Sequence, residues 1–335
     1  PRRWRHLDFG RHTVWLVYSI RRIECPNCGV RTEDIPWARP RARHSRDFED
    51  TVLWLVTRTD RTSVSTLMRC AWRTVTSIVT RAVDALIDSR RLDRLYRIGV
   101  DEICYRHPHK YLTIVGDHDT GKVVYIPEGR GRDSFSEFFE QQSVHEREEV
   151  QVVSMDGSPA FRAAAEHHVP HARQCMDPFH VMQWVNRALD RVFSDAASIR
   201  RTLTMQAPEW RKARTALRLG KNRLTKSHKS LLRTVTAADT EVGTAWRLKE
   251  QFRDLYRKVA PSKAARYLRR WIDEAQSCGI AAFVQLARMI DKKSDAICAA
   301  IELGISNALI EGINSKIRLI NARGYGHHSA ASLKA

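Results

Sequence analysis

The period at which apolar residues recur changes along this chain, and each change marks an element. From His12 to Gly29 the run HTVWLVYSIRRIECPNCG alternates apolar with polar, the pattern of a β-ribbon, and ends on Cys25-Pro-Asn-Cys28-Gly29. From about residue 46 to 90 the spacing becomes helical. Val64, Leu67 and Met68 form the apolar face of one helix, Cys70 to Trp72 a turn, and Val75, Ile78, Val79 and Val83 the buried face of a second, a helix-turn-helix pattern. Residues 95 to 177 then read as three strands (LYRIGVDEI, then YLTIVGDHDTGKVVYIPEG folded at DHDTGK), helix DSFSEFFEQQ, strand VQVVSM, helix PAFRAAAEHH and strand ARQCMD. A helix opens at PFHVMQWVNRALDRVF. From there to about 305 nothing reads as strand, in a stretch dotted with Trp184, Trp210, Trp246 and Trp271. In the final SNALIEGINSKIRLINARGYG, Ile310, Ile313, Ile317 and Ile320 form one buried stripe, and Asn307, Glu311, Asn314 and Arg318 line another face.

The order β-β-β-α-β-α-β-α, a meander followed by alternation, matches the ribonuclease-H-like fold. The expected fold class is multidomain α/β. A zinc-knuckle remnant spans 1–45, a helix-turn-helix domain 46–92, and the first part of a ribonuclease-H-like core 95–180. A large all-helical insertion spans 181–305, and the final helix of the core lies in 306–335.

Composition adds a partner. The net charge is +19 over 335 residues. Residues 1–100 hold 20 basic against 11 acidic side chains, 101–180 hold 8 against 14, and 181–335 hold 29 against 13. Two basic flanks are the electrostatic footprint of a polyanion, here DNA. The acidic centre would repel that polyanion unless cations intervene, which implies divalent metal. No apolar run longer than about IAAFVQLA occurs, so no membrane span is expected. No signal peptide is visible, and seven cysteines, scattered except for Cys25 and Cys28, imply a reducing compartment rather than a disulfide framework. The chain begins at Pro1 and is expected to be a fragment clipped at both ends.

The chemistry centres on a carboxylate at the mouth of a strand, in VVSMDGSPAFRAA. The plain reading of Asp156 is a helix cap. In the expected topology, however, the first strand lies central and the fourth beside it, so Asp101 of IGVDE faces Asp156. Two such carboxylates resist joint ionisation unless Mg²⁺ (or Mn²⁺) binds between them. A late helix is expected to bring a third ligand, and Glu311 is the only acid after Glu302. For an isolated Glu the ordinary reading is a surface position on an amphipathic helix; three carboxylates at three expected places favour the site.

The remaining candidates are weighed the same way. In DPFH, Asp177 caps a Pro-started helix, or it fixes the tautomer of His180, which then orients a phosphate or a water; Asn314 would support the same site. Glu102 reads as a strand neighbour, and Asp117 with Asp119 as a hairpin turn. Cys25 and Cys28 supply two corners of a zinc tetrahedron, with the missing pair upstream of Pro1 or replaced by His12 or His44. Arg73, Thr74, Thr76, Ser77 and Arg81 point outward from the second helix of the helix-turn-helix, where they reach base edges and phosphates.

Taken together, IGVDEICYRHPHKYLTIVGDHDTGKVVYIPEGR, VSMDGSPAF, CMDPFHVMQWVNRALD and NALIEGINSKIRLINARGYG resemble the ISL3-type bacterial insertion-sequence transposases, a DDE group, over nearly the whole chain. The resemblance implies a catalytic triad of Asp101, Asp156 and Glu311 and two metal ions. It further implies binding of terminal inverted repeats, DNA cleavage and strand transfer without a covalent protein–DNA link, and a homodimer or higher oligomer on DNA. The family's upstream Cys-x-x-Cys is not in these residues, so the zinc site is partial. Two rival readings are a transposase-derived DNA-binding regulator, with the acids kept for folding, and a structure-specific nuclease of the same fold.

Overall fold

In a computed structural model that describes residues 1–196, 207–327 and 329–334, the chain divides into two units. The first comprises Pro1–Arg91, Cys104–Lys110 and Ser315–Ala335. Its amino-terminal part holds two antiparallel ribbons, β1 (Arg2–Arg5) with β2 (Trp15–Tyr18), and β3 (Arg22–Cys25) with β4 (Gly29–Thr32). The second ribbon turns at Cys25-Pro-Asn-Cys28, as the alternation predicts. Trp4 is buried with Ile35 and Ala38, and its ring meets Trp37 edge-on at 6.1 Å.

Three helices follow: α1 (Arg46–Val56), α2 (Arg61–Leu67) and α3 (Trp72–Leu86). The first two start where capping residues accept a backbone N–H, Ser45 from Phe48 and Asp60 from Ser63. Phe48, Val52, Val64, Met68, Val75 and Ile78 make their common core. Two expectations need correction. Leu67 is 65% exposed, because α2 ends there and the turn carries its side chain outward, and Val83 is only half-buried. The turn reverses at Arg69, with φ +50°, and Arg69 is held there by Asp8 Oδ2 at 3.1 Å and the Arg11 carbonyl at 2.7 Å. Arg81 is exposed, yet its guanidinium closes on the buried Glu49 at 2.5 Å, with Arg39 on the other carboxylate oxygen at 3.0 Å.

The second unit comprises Leu92–Ile103 and Tyr111–Asn314. Its sheet has the order β7-β6-β5-β8-β9, formed by β5 (Arg97–Arg106), β6 (Lys110–Asp117), β7 (Val123–Tyr125), β8 (Val152–Met155) and β9 (Arg173–Met176). The first strand is central and pairs parallel with β8, which pairs parallel with β9. All four residues of β8 are buried, as a parallel strand covered on both faces requires. On one face Val153 and Met155 pack with Phe135, Phe138 and Phe139 of α4 (Arg132–Glu140) and Phe161 of α6 (Pro159–His168). A short helix, α5 (Val144–Glu149), closed by a Ser143–Glu146 capping box, lies between them and has no apolar stripe to announce it. On the opposite face Val152 and Cys175 meet Ala299 and Ala300.

From α7 (Pro178–Asp195) onward the described residues contain no strand. The helices are α8 (Ala207–Arg218), α9 (Lys226–Ala238), α10 (Thr240–Arg257), α11 (Ala264–Ser277), α12 (Ala281–Asp291), α13 (Ser294–Leu303) and α14 (Ala308–Arg323), with α15 (Ala330–Lys334) in the first unit. Part of the expected helical segment, 197–206, lies outside the described residues. The helical core contains Trp271, whose indole N–H donates to the Leu248 carbonyl at 2.8 Å, and Phe193 stacked on Trp210 at 4.0 Å. The isoleucine stripe of α14 is buried only at its start: Ile310 is fully buried, Ile313 and Ile317 are half-buried, and Ile320 is 51% exposed. Ile310 sits where a Cβ on Gly99 or Gly116 would stand, 2.8 and 2.6 Å from its carbons, so those glycines let the helix approach the sheet.

Phe161 is fully buried against Phe135, its ring edge-on at 5.7 Å. Phe161→Ala is expected to destabilise the second unit by about 3–5 kcal/mol, read as a lowered midpoint in urea; a change below about 1 kcal/mol would place the core elsewhere.

Candidate active site

The register of the parallel strands brings three carboxylates to one level. In the β5–β8 pair, Gly99 lies opposite Ser154, which sets Asp101 opposite Asp156; in the β8–β9 pair, Met155 lies opposite Met176, which sets Asp156 opposite Asp177. Asp156 and Asp177 follow the carboxyl ends of β8 and β9, where open α/β sheets bind their ligands, and Asp101 lies midway along β5, just past its pairing with β8.

Their surroundings differ. Asp177 is 2% exposed and satisfied on both oxygens. Oδ1 accepts the Asn307 backbone N–H at 3.1 Å, and Oδ2 accepts His180 Nδ1–H at 2.9 Å and the His180 backbone N–H at 3.4 Å. Burial alone would raise its pKa, but these hydrogen bonds outweigh burial and hold it below the usual carboxylate value. Asp101 is half-buried; its Oδ1 accepts the Glu102 N–H at 2.8 Å and its Oδ2 accepts Asn314 Nδ2–H at 2.8 Å. Burial raises the Asp101 pKa, Asp156 adds to the rise, and the Glu102 N–H and His180 oppose it. Asp156 accepts one backbone N–H, from Ser158 at 2.8 Å. Glu102 is raised by burial first, with Asp156 and Asp101 adding to it and Arg130 opposing.

Helix α14 delivers the later residues. Asn314 is 1% exposed and its Oδ1 has no partner among the described residues, so a buried carbonyl oxygen lies beside the Asp101 carboxylate. Glu311, one turn earlier, comes to Asp177 and His180, and one ligand atom from each of the three lies within 4.8 Å of the others. Among the described residues this is the one cluster of that tightness; Asp101, Asp156 and Glu311 do not form another. Asp156 raises the Asp101 pKa, and both carboxylates add to the rise at His180. The site therefore has two neighbouring parts, an Asp101–Asp156–Asn314 part and an Asp177–His180–Glu311 part. With only carboxylate and amide oxygens, the first part suits a hard divalent cation, and the unpartnered Asn314 oxygen with two mutually repelling acids fits one.

Sequence patterns gave little hint of the residues beneath. Asn307 is fully buried; its Nδ2–H donates to the Val100 carbonyl at 2.9 Å and its Oδ1 accepts the Ser154 hydroxyl at 2.7 Å. That leaves Ser154 Oγ to accept from His118 Nε2–H at 2.7 Å. The helical spacing of α14 includes Asn307, but a surface asparagine would give the same signal. Asp117 and Asp119 do form the expected turn: Asp117 accepts the Asp119 N–H at 2.9 Å, and Asp119 pairs with Arg97.

Cys25 and Cys28 sit at the β3–β4 turn, where hydrogen bonds, the Cys28 thiol's first, lower the Cys25 pKa. Among the described residues no third metal ligand joins them; His44 instead stacks on Phe48 at 4.9 Å.

His180 titrates above its ordinary 6.5 because Asp177 hydrogen-bonds it, with burial opposing. A raised histidine stabilises the fold below its unfolded pKa and ceases to as pH rises through the folded value. Asp177, lowered, stabilises above its unfolded value and ceases to as pH falls through the folded one. The pair thus stabilises most between pH 3.8 and 6.5. Titration of the His180 ring by NMR in metal-free buffer is expected to give a midpoint above 6.5 that drops in Asp177→Asn; an unchanged midpoint would mean the pair does not form.

Comparison with known proteins gives concordant matches. Residues 98–335 match the ISL3-type DDE family described as "Transposase", residues 33–83 the helix-turn-helix domain of transposase family ISL3, and residues 1–28 the zinc-finger of transposases IS204/IS1001/IS1096/IS1165. The chain is 36% identical over 363 residues to the transposase for insertion sequence element IS1557 of Mycobacterium tuberculosis (strains CDC 1551 and H37Rv), with 100% of this chain and 80% of the relative covered. It is 25% identical over 328 residues to the transposase for insertion sequence element IS1001 of Bordetella parapertussis, covering 97% of this chain and 81% of that one.

Proposed function

The chain belongs to the ISL3 family of transposases, and from that premise we propose that Asp101, Asp156 and Glu311 form the centre with which it cuts the ends of its element and joins them to target DNA. It is an insertion-sequence transposase with a helix-turn-helix DNA-binding domain and a DDE domain. The DDE domain implies divalent metal and the zinc ribbon implies zinc. The observation that carries the finer reading is the row of carboxylates aligned across β5, β8 and β9, to which α14 brings Glu311 and the unpartnered Asn314 oxygen.

In this reading the core is ribonuclease-H-like, split into 95–180 and 306–335 by a helical insertion over 181–305. Asp101, Asp156 and Glu311 would hold Mg²⁺ or Mn²⁺, two ions in number, through oxygen. Bound there, the metal supplies activation of a water or a 3′-hydroxyl and stabilisation of the leaving oxygen in an in-line displacement. The protein's own part is to orient. Asn314 Nδ2–H fixes the rotamer of Asp101, and Asp177 accepts the hydrogen bond from His180 Nδ1–H, so that Nε2 is the ring nitrogen available to the phosphate or the nucleophile.

The segments 1–45 and 46–92 would bind the terminal repeats, with Arg73, Thr74, Thr76 and Ser77 of α3 at the DNA. Cys25 and Cys28 supply half of a zinc site. The functional species is a homodimer or higher oligomer on double-stranded DNA in the bacterial cytoplasm. No single described helix is long and apolar enough to cross a membrane.

Glu311→Gln keeps size and hydrogen bonding but removes the charge. It is expected to lower cleavage and joining of end-containing DNA in Mg²⁺ by roughly a thousandfold while leaving end binding intact. Asp101→Asn and Asp156→Asn should behave alike. If Glu311→Gln still cuts, the third ligand is another acid, with Asp177 nearest at hand. Loss of binding as well as cutting would favour a folding role for the acids.

Arg73 and Arg81 should separate. Arg73→Ala is expected to weaken end binding and to reduce the slope of log affinity against log salt by about one. Arg81→Ala removes one of two partners from buried Glu49 and is expected to lower thermal stability of the amino-terminal unit. Equal salt slopes for Arg73→Ala and wild type would remove Arg73 from the interface.

A further inference from the structure

Two buried or half-buried lysines of the helical region are held in opposite ways. Lys249 is fully enclosed, and its three donors are met by the Leu217 and Leu219 carbonyls at 2.8 Å each and by Glu250 at 2.6 Å. It is a structural lysine, satisfied on every N–H. Lys293, in the break between α12 and α13, is half-buried, and its Nζ has one long contact, 3.5 Å from the Gly157 carbonyl. Among the described residues no carboxylate lies within ion-pairing distance of it.

Lys293 has both basic and acidic neighbours, Arg162 and Lys292 on one side of the balance and Asp156 and Asp295 on the other. Burial lowers its pKa most and the Arg162 guanidinium lowers it further, while Asp156 opposes both, so two cations and one carboxylate act on each other here. Arg162, from α6, and Lys293 share one recess with Asp156 and Gly157, and line a second, a cleft of about 230 Å³, with Lys292, Arg173 and Asp295. Arg162 is paired with Glu166 at 2.7 Å and Arg173 with Glu302 at 2.6 Å, which leaves Lys292 and Lys293 as the cations of the cleft with no ion pair among the described residues. The wall behind is rigid. The Trp184 indole lies 5.8 Å from Lys293 Nζ and so tightly on Gly157 that a Cβ there would meet Cζ2 at 2.3 Å.

A half-buried lysine held beside an arginine, with donors unmet, is arranged for an anion. Its place one residue from Asp156 says which anion. We infer that Lys293 binds a backbone phosphate of the DNA strand next to the one being cut, with Arg162 as its neighbour. Lysine serves there as a point charge on phosphate oxygen. The inference rests on the reading that Asp156 belongs to the cutting centre.

The test uses the full chain, Mg²⁺ and end DNA carrying one neutral methylphosphonate at each phosphate around the cut in turn. Wild type is expected to lose about tenfold in cleavage rate at one flanking position. Lys293→Ala should lose a similar factor on unmodified DNA and nothing more at that position, and Lys293→Arg should recover most of the rate. Lys293→Gln, with its thermal unfolding compared to wild type, separates this from misfolding. The inference is overturned if Lys293→Ala keeps the full wild-type sensitivity at every position, or if wild type has none. The first result is also what a lysine that merely neutralises Asp156 would give. Asp156→Asn is run alongside: if it still cuts, the centre has been misplaced, and the Lys293 coupling then stands or falls on its own phosphate pattern. If it is inactive while Lys293→Ala stays sensitive, only the phosphate site is lost.

Discussion

Asn307 is the residue on which the second unit's site depends. Its backbone N–H goes to Asp177, its side-chain N–H to the carbonyl of Val100, just before Asp101, and its side-chain oxygen accepts from Ser154, two residues before Asp156. One buried amide thus joins the middle of β5 to the carboxyl ends of β8 and β9. Its own carbonyl then accepts the Glu311 N–H at 2.9 Å and starts the helix that carries Glu311 and Asn314. Each of those groups is buried, so each would cost about 1–3 kcal/mol if left without its partner. That penalty is what fixes a helix some two hundred residues downstream of β5 in a definite rotation over the sheet. Ile310 supplies the area of contact, and Asn307 supplies the register.

The parts legible from sequence are those whose signal is local. Alternation and helical spacing located the five strands of the sheet and the helices around it, and the strand order followed from the meander-then-alternation sequence of elements. Asp101 and Asp156 were legible for the same reason, as polar residues where apolar runs stop. What sequence missed has a common physical origin. The stripe on α14 predicts burial along its length, but burial requires a partner surface, and beyond Ile310 the stripe is progressively exposed. Meanwhile Asn307 and Asn314, polar by composition, are the buried ones, because hydrogen bonds replace the water they lose. Arg81 reads as a DNA contact from its position on α3; its pairing with Glu49 depends on a residue 32 positions away that no periodicity connects to it.

Glu49 and Asn307 illustrate two ways of keeping a polar group inside. Glu49 is flanked by two arginines, Arg39 and Arg81, which tie the loop before α1 to α3. Removing one of them leaves a buried charge half-compensated, so that pair is a point of weakness as well as a link. Asn307 carries no charge, and its four hydrogen bonds are met at little electrostatic cost. A neutral amide beneath a group of carboxylates organises them without altering their net charge, so the charge of the site remains that of its acids.

Two aspartates in equivalent places, Asp156 and Asp177, show why those acids are not interchangeable. Both follow a parallel strand by one residue, and both precede a proline-started helix, so each could be explained as a cap. For Asp177 that explanation holds: it is the N-cap of α7, and its two oxygens are committed to His180 and Asn307. For Asp156 it fails. The N-cap of α6 is Ser158, whose side chain makes no capping bond, and Asp156 accepts a single N–H from it. A half-exposed carboxylate with one hydrogen bond, facing a second carboxylate whose pKa is raised by burial, weakens the local fold. Asparagine at 156 could accept the same N–H without the repulsion. The chain keeps aspartate there, and the charge that packing does not require is the charge that a divalent cation would.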